Sequence, residues 1–127
     1  MRKILLILSL ASLTFVFLAC SSKEPSALEK RVQKHISFQG VKKQIVKEFN
    51  YKTNSNGLLE FELVLLSEDE LKLSYQISWK DEDGFILKTY QDGVFKDITL
   101  KENQEFLIQR VASDKDASDF RIVLSEK

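Results

Sequence analysis

One cysteine, one histidine and one proline in 127 residues leave several familiar kinds of chemistry short of material. With Cys20 alone, no disulfide can close within the chain, even in an oxidising compartment. A zinc site of His and Cys, a Cys-His pair and a Ser-His-Asp triad would all rest on a single imidazole, His35, near the N-terminal end. An excess of one charge is missing too. Nineteen basic side chains stand against nineteen acidic ones, which gives nothing to attract nucleic acid. Nor is there an apolar run of the ~20 residues that a membrane-spanning helix needs.

The longest apolar run, residues 4–19, is 16 residues long and follows Arg2 and Lys3. At about 1.5 Å per residue it makes roughly 24 Å of helix, short of the ~30 Å hydrocarbon core. Positive start, apolar middle and the small Ala19 before Cys20 form the order of a signal peptide. Phe17, Leu18, Ala19 and Cys20 resemble the bacterial lipobox, in which the cysteine sulfur takes a diacylglyceryl group and the new amino terminus is acylated. The expectation is lipidation at Cys20, with Ser21 after it reading as an outer-membrane address on the periplasmic face. The alternative is an uncleaved inner-membrane signal anchor with Cys20 incidental. Arg2 and Lys3 leave with the signal, so the mature chain has 17 basic against 19 acidic side chains, and attachment has to come from the lipid.

Four segments follow. Residues 1–19 read as the signal peptide and 20–26, polar with Pro25, as a lipidated tether. Residues 27–43 read as a lead-in. Ser26 with Glu29 makes a capping box ahead of Leu28, Val32 and Ile36, which allows one short helix there. Residues 44–127 read as a β domain, punctuated by turn clusters at 54–57, 67–70, 81–84, 91–93, 102–103 and 114–118. The clearest strand is 71–79. Leu71, Leu73, Tyr75, Ile77 and Trp79 fall on one face, and Lys72, Ser74, Gln76, Ser78 and Lys80 on the other. Residues 58–66 alternate less cleanly, with Leu59, Phe61, Leu63 and Leu65 inward, Glu60 and Glu62 outward, and Val64 and Leu66 apolar on the outer side; further runs span 45–51, 85–90, 94–100, 105–111 and 120–124. About seven short strands without long helices between them predict an all-β, antiparallel, immunoglobulin-like β-sandwich.

Residues 73–84, with Tyr75, Ile77, Trp79 and the turn 81–84, resemble the YcfL-like family of small bacterial lipoproteins, as do the cysteine position and the chain length. The closing pattern of Ile98, Phe106, Val111, Phe120, Ile122 and Leu124 agrees. The resemblance implies an outer-membrane β-sandwich lipoprotein and brings no catalytic residues.

Candidate sites are few. Trp79 shares its face with four apolar neighbours and is expected in the core rather than on a ligand. Asp81, Glu82, Asp83 and Gly84 look like a calcium-loop fragment, but the position-twelve glutamate is missing, and a hairpin turn with Gly84 at positive φ explains them. Asp114, Asp116 and Ser118 have the right spacing for oxygen ligands, but Asp119 stands where glycine is needed; no metal or cofactor is expected. His35, with no partner nameable, is expected to be exposed. The polar stripe Lys72, Ser74, Gln76, Ser78 and Lys80 remains as a surface for a partner, or as a wet face. These readings point to a non-catalytic binding or assembly module that contacts an envelope protein. The alternatives are an envelope hydrolase using turn carboxylates and a carrier of lipid or glycan.

Overall fold

A computed structural model of the chain describes residues 24–88 and 93–127. The signal-like run, Cys20 and Ser21 lie outside the described residues, as do Tyr90, Gln91 and Asp92 of the next turn region. No described helix is long and apolar enough to cross a membrane.

The first element is helix α1, Ala27–His35. Ser26 caps it: its backbone is extended and its side-chain oxygen accepts from the Glu29 N–H at 3.1 Å. Val32 and His35 are its buried residues. Strand β1, Ile36–Gln39, follows without a break. Gly40, at φ 72°, then turns the chain towards a short 3₁₀ turn, Lys43–Ile45. Seven more strands follow among the described residues: β2 Val46–Thr53, β3 Leu59–Leu65, β4 Leu71–Lys80, β5 Ile86–Leu87, β6 Lys96–Leu100, β7 Phe106–Val111 and β8 Asp119–Glu126.

Two sheets share these strands. The larger runs β1-β8-β4, with β5 and β6 both pairing the far side of β4 at different heights; the smaller runs β2-β3-β7. Every pairing is antiparallel except β1 on β8, where Ile36 to Gln39 run parallel to Ile122 to Ser125. The fully antiparallel expectation is corrected there. The physical reason is the connection: β1 and β8 are joined through the whole of the intervening domain and not by a hairpin, so nothing forces them to run antiparallel. The lead-in thus supplies both a helix and an edge strand to the same core.

The core lies between the sheets and is built from the alternation of the strands. On β4, Leu73, Tyr75, Ile77 and Trp79 are buried, and the register sets Tyr75 against Leu124, Ile77 against Ile122 and Trp79 against Phe120. From the smaller sheet come Phe49, Phe61, Leu63, Leu65 and Ile108. Phe61 stacks on Phe120 at 4.9 Å between ring centroids, and Trp79 lies 5.7 Å from Phe120. Each large apolar side chain so buried contributes about 1.5–3 kcal/mol, and such ring pairs about 0.5–1.5 kcal/mol more. Trp79, 3% exposed, is a core residue.

The turn after β4 closes as its residues require. The Asp81 carboxylate accepts from the N–H groups of Asp83 and Phe85, both at 2.9 Å, and Gly84 takes φ 85°.

Candidate functional site

The outward residues of β4 are the stripe Lys72, Ser74, Gln76, Ser78 and Lys80, and the sheet surrounds it on both sides. On the β8 side, Ser74 faces Ser125, Gln76 faces Val123, Ser78 faces Arg121 and Lys80 faces Asp119. Beyond β8, Ser37 of β1 accepts from the Arg121 guanidinium at 3.2 Å. On the other side, the Ser74 hydroxyl donates to Asp97 of β6 at 2.7 Å, and Lys127 Nζ donates to the second oxygen of the same carboxylate at 2.7 Å. These bonds, Lys127 first and Ser74 second, hold Asp97 below the usual carboxylate range. Gln76 Nε2 donates to the Gly93 carbonyl at 2.7 Å. Lys72 is exposed and the other four are half-buried, so the stripe is the floor of a broad polar face.

Along the β5 and β6 margin of this face stand four exposed apolar side chains. Phe85 is 71% exposed, Ile86 59%, Val94 57% and Phe95 48%. Ile86 pairs with Lys80 of the stripe, and Phe95 lies just before β6, two residues from Asp97. Four large apolar side chains left in water beside a hydrogen-bonded polar floor make an amphipathic surface of the kind found at interfaces. Strand alternation alone does not find them, because 85–90 and 94–100 both read as strands. The signal is in the doublets: Phe85 with Ile86, and Val94 with Phe95, place two apolar residues in succession, so a strand could bury at most one of each, and Phe85, Val94 and Phe95 lie outside the ladder altogether.

The acidic turns behave differently. Asp81, Glu82 and Asp83 meet Lys115, Asp116 and Ser118 around an open depression of about 420 Å³. Two carboxylates of these turns bond their own loops: Asp114 Oδ1 accepts from Asp116 N at 2.8 Å, and Asp81 Oδ1 from the N–H groups of Asp83 and Phe85. Among the described residues no group of three or more His, Cys, Asp and Glu converges as a metal site.

His35 is corrected outright. It is 3% exposed, not solvated. The ring stacks on Phe120 at 4.1 Å and 7°, and Tyr51 and Phe49 meet it edge-on at 4.4 and 6.1 Å. Nδ1 donates to the Phe120 carbonyl at 2.9 Å, with Asp119 Oδ1 at 3.2 Å, while Nε2 is buried without a hydrogen-bond partner. Burial pushes its pKa below 6.5; the Phe120 carbonyl and Asp119 pull the other way but do not prevail. Its partners come from β2 and from a strand 85 residues further on, so no local pattern reveals them.

Fold and surface together define a two-sheet β domain with one short helix and an amphipathic outer face. The chain belongs to a family described as "Protein of unknown function (DUF1425)", whose model matches residues 30–126. It is similar to the crystal structure of Campylobacter jejuni cj0090, at 33% identity and a TM-score of 0.68 over 75% of this chain and 100% of that one. A DUF1425 family member from Shewanella sp. pv-4, at 17% identity and a TM-score of 0.53, shares the fold over 65% of this chain and 76% of its own. No curated protein matches.

Proposed function

We propose that this chain is a lipid-anchored, non-catalytic binding module on the periplasmic face of the bacterial outer membrane, and that it engages another envelope protein through the outer face of the larger sheet. The observation that carries the reading is the rim of Phe85, Ile86, Val94 and Phe95 beside the stripe from Lys72 to Lys80. An apolar margin supplies the area that drives association, and the serine, glutamine and lysine groups of the floor supply register. Cys20 directly after a 16-residue apolar run that ends in the small Ala19 supports the anchor, and the resemblance of residues 73–84 to YcfL-like lipoproteins supports the compartment. A multiply acylated Cys20 would hold the domain at the membrane, since each buried methylene contributes about 0.8 kcal/mol.

Crosslinked capture from envelope extracts with the full chain tests the reading, comparing it with a Phe85→Ala/Phe95→Ala variant. The expected result is one reproducible envelope protein, lost in the variant. Equal recovery from both chains, or none from either, would contradict it.

A further inference from the structure

Strand β7 is the edge of the smaller sheet, and no described strand pairs with its outer side. Which of its groups face outward follows from one bond. The Ala112 N–H donates to the Leu59 carbonyl at 2.8 Å, and the register continues from there with Arg110 against Phe61, Ile108 against Leu63 and Phe106 against Leu65. Main-chain groups alternate sides along an antiparallel strand. Phe106, Ile108 and Arg110 therefore bond β3, and Leu107, Gln109 and Val111 turn their N–H and C=O groups to the open edge.

These same three residues expose their side chains, Leu107 by 54% and Val111 by 47%. Their order, apolar then polar then apolar, is symmetric about Gln109. An antiparallel second copy with Gln109 opposite its own equivalent would set Leu107 against Val111 twice. Each outward N–H would then meet an outward C=O, which is the isologous pairing of a two-fold dimer.

One side chain stands in the way. The Arg110 guanidinium donates through one NH₂ group to the Gln109 carbonyl at 2.8 Å, which is the central acceptor of the edge. Through the other it donates to the Tyr75 hydroxyl of the opposite sheet at 2.6 Å, with its carbon 5.8 Å from the Tyr75 ring centroid. It is also the sole charge in Phe106–Val111, so a second copy arriving in that register brings its own Arg110 in as the diagonal neighbour across the two-fold axis, a like charge on the same face. We infer that Arg110 is the lock on a strand-addition edge whose fitting occupant is a second copy of this chain. The inference concerns the smaller sheet and stands apart from the proposed partner surface on the larger one.

A thiol at the symmetry position reads the pairing directly. The full chain in detergent, carrying Cys20→Ser and Gln109→Cys, is oxidised mildly and its mass measured. With Arg110 present the expected species is the monomer. With Arg110→Gln the disulfide-linked dimer becomes the major species, and adding Val111→Lys returns it to monomer. Dimer formed equally with Arg110 in place would overturn the inference, as would a monomeric Arg110→Gln variant that keeps its β-sheet circular dichroism. Should that variant lose its fold, Tyr75→Phe frees the far end of the same strap. A rise in dimer over the parent is expected there, and no rise in a folded Tyr75→Phe chain would overturn the inference equally.

Discussion

Acidification through the histidine range should weaken this fold, and His35 is the cause. Its folded pKa lies below 6.5 because the ring is desolvated among Phe49, Tyr51 and Phe120. The unfolded chain therefore binds the proton more readily, and stability falls as pH drops through 6.5 towards the folded value. Above the unfolded value both states are neutral and the term vanishes. Each unit of depression is worth about 1.4 kcal/mol once the pH is below the folded pKa, a large share of the ~5–15 kcal/mol typical of a domain. His35→Phe keeps a ring on Phe120 and removes the titration. It strands the Phe120 carbonyl, at about 1–3 kcal/mol, and relieves the orphaned Nε2 by a similar amount, so neutral-pH stability changes little. Urea melts between about pH 7.5 and about pH 5 provide the assay. The chain should lose stability across that window and the variant should not. Asp97 does not confuse the result: its pKa is lowered by Lys127 and Ser74, so its part is lost only as pH falls below 3.8. Parallel slopes for the two proteins would refute the reasoning.

Two further outcomes follow from the core and from one turn. Trp79→Ala opens a cavity against Phe61 and Phe120 and should cost about 3–5 kcal/mol in urea unfolding; a cost under about 1 kcal/mol would mean that the ring is not packed as described. Gly40→Ala, at φ 72°, places a Cβ 2.9 Å from Glu126 Oε2, which can swing aside, and 3.2 Å from Glu126 Cβ, which is held by β8, whereas Gly57→Ala meets open space at φ 79°. Both pay the left-handed penalty of about 1 kcal/mol, and thermal melts should show Gly40→Ala the more damaging of the two.

Much of the fold was legible because its signals are local. The alternation of β4 from Leu71 to Trp79, the Asp81 to Gly84 turn and the Ser26 cap of α1 are each written within a few residues. Strand β1 was not legible: Ile36 to Gln39 is four residues long, and its partner β8 lies at the far end of the chain. For the same reason strand spacing predicts two sheets without fixing an immunoglobulin-like order, which depends on pairings between distant segments. The candidate face was half legible. Lys72 to Lys80 alternate visibly, but the exposure of Phe85 and Phe95 arises because β5 and β6 are only two and five residues long and leave their flanks outside the ladder. Burial of His35 needed Phe120, and Arg110 needed Tyr75; both contacts exist only once the sheets are closed.

Site-specific photocrosslinking tests the central claim about the outer face most directly. A crosslinker replacing Phe95, at the rim of the larger sheet, is compared with one replacing Glu62, on the outer side of the smaller sheet. In intact cells the Phe95 position should give a single reproducible adduct with an envelope protein and the Glu62 position none. Adducts from Glu62 alone, or the same adducts from both positions, would contradict the account.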